Sequence, residues 1–254
     1  HPRLSAFAQA VWEAQQPSWR ELSIPPNAIE VGCERITPSM LPLIDLTQEQ
    51  IDQIVSRVPG GVANIQDIYP LAPLQEGILF HHLLQREGDT YLVMSTLSFD
   101  SRERLDSFVQ ALQSVIERHD ILRSAMVWEG LPEPVQVVCR AARLDVQTLA
   151  LRGVDIAEQL ERHTDPTHYR LDIRQAPLMK GFAAFDEHMN RWLLRMVWHH
   201  LISDHGAIEA LTREVRLIQS GRPELLSVPV PFRNFVAQAR LGVSQDEHEA
   251  FFRQ

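Results

Sequence analysis

Two neighbouring histidines, His199 and His200, end the apolar run Trp192-Leu193-Leu194-Arg195-Met196-Val197-Trp198 and are followed by Leu201-Ile202-Ser203-Asp204-His205-Gly206. Neutral imidazole accepts or donates a proton near pH 7, which suits general acid–base catalysis. An apolar run ending in paired imidazoles predicts a buried strand that hands titratable groups to a loop, a common place for them. On the residues alone two other readings stay open. The pair can be structural, or His199, His200, Asp204 and His205 can share a metal ion. Adjacent strand residues point to opposite faces, which argues against His199 and His200 meeting on one ion.

The elements that would position these groups follow from periodicity. Leu178 to Phe185 and Trp192 to Trp198 predict a hairpin across Asp186–Asn190, and Ile121 to Trp128 with Pro134 to Arg140 a second one turning at Gly130-Leu131-Pro132. Tyr91 to Phe99 predicts a further strand. Leu105, Phe108, Val109, Leu112, Val115 and Ile116 make the strongest helical stripe, a core face, behind a capping box at Asp100-Ser101-Arg102-Glu103. Arg102-Glu103-Arg104 reads as a solvated face. Further helices are expected over Ala72 to Gln85, Val154 to His163 and Ala207 to Ile218, and behind the capping box Thr47-Gln48-Glu49-Gln50, whose apolar face is Ile51, Ile54, Val55 and Val58. Helices alternating with hairpins mean a mixed α/β sheet. Leu4, Phe7, Ala8, Val11 and Trp12 give a short helix over residues 1–15, with Trp12 and Trp19 packing on a neighbouring domain. Pro17, Pro25, Pro26, Pro38 and Pro42 mark an extended linker within residues 16–60.

Composition narrows the function. The 254 residues carry 24 Lys and Arg against 33 Asp and Glu, a net charge of −9, which argues against nucleic acid as the main partner. Cys33 and Cys139 have no pairing or metal spacing, so a reduced, cytoplasmic setting is expected. No run reaches the ~18 apolar residues of a membrane span, and the first residues do not read as a signal peptide. A start at His1 predicts a chain cut from something longer. Gly60-Gly61 lacks the lysine and spacing of a phosphate loop, and there is no Gly-x-Ser-x-Gly elbow.

Four stretches in order carry a resemblance. Leu71-Ala72-Pro73-Leu74-Gln75-Glu76-Gly77-Ile78-Leu79-Phe80, Arg118-His119-Asp120-Ile121-Leu122-Arg123-Ser124-Ala125-Met126, His199-His200-Leu201-Ile202-Ser203-Asp204 and, in weaker form, Pro231-Phe232-Arg233-Asn234-Phe235-Val236 resemble the first four signatures of condensation domains of nonribosomal peptide synthetases. His81-His82-Leu83-Leu84-Gln85-Arg86-Glu87-Gly88-Asp89 is similar to the extra motif of the dual epimerisation/condensation subtype. The later signatures, which lie in the second lobe, are missing. The resemblance therefore implies a chloramphenicol-acetyltransferase-like mixed sheet flanked by helices, one lobe of a two-lobed domain, over residues 61–254. Residues 1–15 would be the last helix of an upstream peptidyl carrier domain and 16–60 its linker.

The resemblance also implies roles. An amine on the downstream carrier attacks the thioester of the upstream chain, and His200 is the catalytic position, as general base or as a group that positions amine and intermediate. His199 supports it. Asp204 is implied to be structural, paired with a buried arginine, Arg123 first and Arg118 second. His81, His82, Gly88 and Asp89 go with inversion of the donor residue. No cofactor is implied in the domain itself: substrates ride on the 4'-phosphopantetheine of the upstream and downstream carrier domains, which are partners together with the second lobe, and no nucleic acid, membrane or metal is expected. This chain alone is expected to be inactive. His205 replaces the usual glycine, at a modest penalty if φ there is positive, with Gly206 free to take over the turn. Three other readings stay open: a plain condensation domain, a different acyltransferase of the same superfamily, and a carrier-docking lobe with inert histidines.

Overall fold

The computed structural model describes residues 24–241. The helix expected over residues 1–15 lies outside them, as do Trp12 and Trp19. Two sheets organise the rest. Strands β1 (Ile65–Pro70), β4 (Val135–Cys139) and β3 (Ser124–Val127) form an antiparallel sheet in the order β1-β4-β3. Strands β2 (Leu92–Phe99), β7 (Arg191–His199), β6 (Met179–Asp186) and β5 (Asp145–Thr148) form the second, antiparallel except for the parallel β5·β6 pair. Both expected hairpins form, as β3·β4 and β6·β7.

Helices cover the sheets. They are α1 (Gln48–Arg57), α2 (Pro73–Leu84), α3 (Arg102–Arg118), α4 (Ile156–His163), α5 (His205–Gln219) and α6 (Phe232–Leu241). Thr47 caps α1 with the full reciprocal box to Gln50. At α3 the cap is Ser101, which accepts Arg104 N–H, so the box expected from Glu103 is not closed on the third helical position. The stripe of α3 is buried as its spacing demands, through Leu105, Leu112, Val115 and Ile116. Its outer face is solvated: Arg102 pairs with Asp106 and Arg104 with Asp100 at the surface.

Strand β7 is the spine of the larger sheet. Leu194, Met196 and Trp198 pack into the cluster under α3 and α5, while Leu193 and Val197 pack into the one under α4. A strand buried on both faces reads as a continuous apolar run. The alternation carries through to the histidines at its end.

The proline-punctuated segment is not a detached linker. Ile29, Ile36, Leu41, Ile44 and Leu46 join Ile51 and Ile54 of α1 in one core with Ile65, Ile68, Val127, Val135 and Val137 of the smaller sheet. Prolines prevent a regular ladder here, yet an extended chain can still bury most of the apolar side chains it carries. Side chains satisfy its backbone carbonyls instead: Arg140 donates to Ile29 O and Glu30 O, and Gln48 Nε2 to Ile36 O. No helix among the described residues is long and apolar enough to cross a membrane.

Candidate active site

Strand β7 delivers His199 with no exposed surface and leaves His200, the first residue beyond it, exposed. The two rings therefore face different surroundings, as strand alternation requires. His200 Nδ1 lies 2.9 Å from Ser203 O. A carbonyl only accepts, so Nδ1 carries the proton and the neutral ring keeps its Nε2 lone pair for an incoming group. The His200 backbone N–H donates to Tyr91 O at 2.9 Å, fixing the ring's root to the start of β2.

His199 sits in a buried cluster that the sequence alone does not assemble. Its Nδ1 accepts Leu201 N–H at 3.1 Å, so the proton of the neutral ring is on Nε2, which lies 3.1 Å from Asp89 Oδ2. The same oxygen receives His82 Nδ1 at 2.7 Å, and Asp89 Oδ1 accepts Tyr91 N–H at 3.0 Å. The His82 and His199 rings meet edge to face, with centroids 5.3 Å apart. Burial opposes the charge on Asp89, but the hydrogen bonds from His199, His82 and Tyr91 win and hold its carboxyl well below the usual carboxylate range. Burial lowers the His199 pKa against the pull of Asp89, which keeps that ring neutral.

The loop carrying Asp89 is held from outside. Arg170 donates to Gln85 O at 2.8 Å, to Gly88 O at 3.0 Å and to His82 O. Asp89 N–H reaches Pro166 O at 2.8 Å. Gly88 has φ +68°, and a Cβ on it would stand 2.4 Å from Pro166 O and 2.6 Å from Thr167 O, so only glycine fits. His81 and His82 occupy the last turn of α2, where successive residues point about 100° apart. His82 is 3% exposed, whereas His81 is exposed, with its ring centroid 6.1 Å from that of Tyr91.

The first signature reaches the same loop. Gln75 Nε2 donates to Leu201 O at 2.8 Å, while its Oε1 accepts Ala72 N–H at 2.9 Å and Gln136 Nε2 at 2.7 Å. The second and fourth signatures hold each other: both oxygens of Asp120 accept Phe232 N–H. Arg233 pairs with buried Asp67, and Arg240 with Glu76 and Glu133.

Two expected roles are corrected. Asp204 is exposed and caps α5, accepting Ala207 N–H at 2.7 Å; among the described residues it has no arginine partner. Arg123 is buried, but its Nη1 donates to Gln66 Oε1, Arg140 O and Cys139 O, and Arg118 pairs with Glu214, which His119 also contacts. An aspartate directly before a helix is well placed to satisfy free N–H groups, and that local partner prevails. His205 opens α5 and is not among the described positive-φ residues, so no penalty arises there, and Gly206 lies within the helix.

The metal reading based on His199, His200, Asp204 and His205 is replaced by a different convergence. Among the described residues the ligand-type atoms that cluster, all within 4.8 Å, belong to His82, Asp89 and His199. With Nδ1 accepting and Nε2–H donating, His199 has no lone pair to offer, and hydrogen bonds account for the whole arrangement. Sequence reasoning does not single out Gln75, Tyr91, Arg170 or Ser203. Gln75 and Ser203 lie inside quoted signatures, Ser203 acting through its backbone carbonyl; Tyr91 and Arg170 carry no local signal, because each acts through a long-range or backbone contact.

Residues 65–253 match the family model described as condensation domain. The chain is 49% identical over its full length to malpinin synthetase of Mortierella alpina and 47% identical over 99% of its length to malpibaldin synthetase of the same organism. It spans only 3% and 4% of those two proteins. It is also 32% identical over 90% of its length to one of the linear gramicidin synthase proteins of Brevibacillus parabrevis, of which it covers 4%. Among solved structures, a four-domain nonribosomal peptide synthetase bound to AMP and glycine superposes at TM-score 0.59 with 17% identity, over 73% of this chain and 14% of that one. The condensation domain of monacolin K polyketide synthase superposes at TM-score 0.56 with 18% identity, over 74% and 42%. These likenesses show a mixed α/β fold shared with condensation domains.

Proposed function

This chain belongs to the condensation domain family, and from that premise we propose that it is the histidine-bearing part of a nonribosomal peptide synthetase domain that joins two thioester-bound substrates after inverting the donor residue. The substrates ride on phosphopantetheine arms of an upstream and a downstream carrier domain, and the domain's second lobe closes the site. In the same reading residues 1–15 belong to the upstream carrier and 16–60 connect it.

One observation carries the bond-forming half: His200 is exposed and its Nδ1–H is bound to Ser203 O, which leaves the Nε2 lone pair uncommitted among the described contacts. The acceptor amine attacks the donor thioester carbon, the C–N bond forms, the C–S bond breaks, and the thiolate leaves. His200 Nε2 takes the ammonium proton or receives a hydrogen bond from the amine, and correct placement of amine and carbonyl alone removes several kcal/mol of barrier. His199 and Asp89 hold the strand end from which His200 projects.

Inversion is supported by the position of the second motif, His81 to Asp89, whose aspartate touches His199 directly. A base removes the donor α-proton, the electron pair moves into the thioester carbonyl, and an acid returns a proton to the opposite face. A plain condensation domain is the second reading, and burial of His82 favours it, since a buried ring bonded to Asp89 needs no substrate to explain it.

The test is a chiral, mass-resolved assay on the intact module with loaded carriers. His200→Ala is expected to abolish product, with retained carrier loading. Normal product from that variant would overturn the catalytic assignment, and a donor residue of unchanged configuration in wild-type product would overturn the inversion.

A further inference from the structure

The two adjacent histidines of the second motif do different jobs. They lie in one helical turn, yet His82 is buried against Asp89 and His199 while His81 is exposed beside Tyr91. We infer that His82 and Asp89 are positioning residues for His200, needed equally for bond formation and inversion, and that His81 alone of the pair is free to handle a proton.

A chain of hydrogen bonds links the three residues. His82 Nδ1–H and His199 Nε2–H both donate to Asp89 Oδ2. Turning of the His199 ring is thereby blocked, and its Nδ1 stays aimed at Leu201 N–H. Leu201 O is pinned in turn by Gln75. The residues on either side of His200 are thus fixed, and His200 itself is tied by its own N–H to Tyr91 O. Asp89 Oδ1 also binds the backbone of Tyr91, so one carboxylate braces both strands that flank the exposed imidazole. Gly88 and Arg170 set the height of that carboxylate from the other side. Without His82 the oxygen keeps one donor, and without Asp89 both rings lose their common acceptor.

His81 has the opposite surroundings. Its ring touches Phe80 and Tyr91, and no ion pair holds it among the described contacts. Tyr91 is also the residue whose carbonyl accepts His200 N–H, so the His81 ring and the His200 backbone share one neighbour, directly before β2. Inversion needs two proton-handling groups, and bond formation needs one.

The part concerning His81 rests on the inversion reading; the part concerning His82 and Asp89 does not. The test uses the complete module with loaded carriers and two donors, one natural and one already inverted. Each variant is first checked for an unchanged thermal midpoint or, failing that, for native near-ultraviolet dichroism. His82→Ala and Asp89→Asn are expected to lower kcat for both reactions together by about 10- to 100-fold, the scale of an ångström-level misplacement, with KM little changed. His82→Asn keeps an N–H where Nδ1–H was and is expected to recover kcat to within about threefold. His81→Gln is expected to lose inversion while joining the inverted donor normally. Selective loss of inversion in His82→Ala or Asp89→Asn would overturn the inference, as would full activity in both, or normal inversion in His81→Gln. If His82→Ala does not fold, Asp89→Asn and the His82→Asn recovery decide alone. A wild-type module that inverts nothing would sink the inversion reading instead, and the bond-forming rates of the His82 and Asp89 variants would still decide their role.

Discussion

Asp89 and Asp67 are both buried carboxylates beside a sheet, and they behave in opposite ways. Asp89 has only neutral-capable imidazoles and a backbone amide around it, yet its carboxyl is held well below the usual range. Asp67 has an arginine beside it, yet burial pushes its pKa up to about 6. The difference is hydrogen-bond geometry. Three N–H groups point at Asp89, enough to hold a carboxylate ionised in a dry site. Asp67 accepts Ile68 N–H, but Arg233 Nε approaches its other oxygen at 3.2 Å with an alignment too poor for a hydrogen bond. Asp120 adds a like charge nearby, itself raised by burial, and buried Tyr69 completes that surrounding. Aimed donors therefore lower the Asp89 pKa, with His199 also attracting its charge, while at Asp67 burial outweighs the pull of Arg233.

The comparison breaks most visibly at Arg233. Arg233→Met is expected to cost about 3–5 kcal/mol at neutral pH, the penalty for stranding one member of a buried pair. The sign of its pH dependence follows from Asp67: a folded pKa of about 6 against 3.8 means that ionisation costs stability as pH rises through that window. Arg233 is among the groups that lower this pKa, so the deficit of the variant should shrink as pH falls toward about 6 and stay small below it, and Asp67→Leu with Arg233→Met should recover most of it. Urea denaturation at about pH 5 and about pH 7.5 measures both. A smaller loss is expected at the other cluster from Gly88→Ala, about 1–3 kcal/mol, because φ +68° and the carbonyls of Pro166 and Thr167 leave no space for a Cβ. An unchanged midpoint would mean that the Asp89 loop is not anchored there.

A pH titration sharpens the contrast further. His199 has its folded pKa lowered below 6.5, so the unfolded chain binds the proton more readily and stability falls as pH drops below 6.5. Asp67 acts in the opposite sense between about 6 and 3.8, so the whole-protein profile is a sum of two slopes. His199→Gln keeps an N–H for Asp89 but cannot titrate. Subtracting its profile from wild type should leave a pH-dependent difference confined to pH below about 6.5, and a difference with no slope there would remove His199 as the source.

How much of this is legible in the sequence depends on range. Strand β7, both hairpins and the α3 stripe follow from local periodicity, which a buried run or an amphipathic helix states outright. Strand β1 does not, because Ile-Gln-Asp-Ile-Tyr-Pro interrupts alternation with Asp67, whose charged partner Arg233 is remote in sequence. Strand β5 escapes as well; Asp145–Thr148 is a short, mostly exposed, polar edge. The segment before α1 misleads because prolines exclude regular structure, not burial. At the site, His199, His200, His81, His82 and Asp89 all stand out in the sequence, but the bond joining Asp89 to His199 spans 110 residues and leaves no local trace. The different surroundings of His81 and His82 have a simpler cause: neighbouring helical residues cannot share one direction.

Asp204 supplies the smallest effect and the clearest control. A buried partner of Arg123 would make Asp204→Ala as damaging as Arg233→Met. As an exposed N-cap accepting Ala207 N–H, it should cost about 1 kcal/mol, with Asp204→Asn or Asp204→Ser close to wild type because each retains a capping oxygen. Thermal denaturation of the three variants decides this. A loss of several kcal/mol, unrelieved by asparagine or serine, would mean that Asp204 turns inward to a cation. The fold would then hold a further buried carboxylate, one that follows the Asp67 pattern four residues from His200.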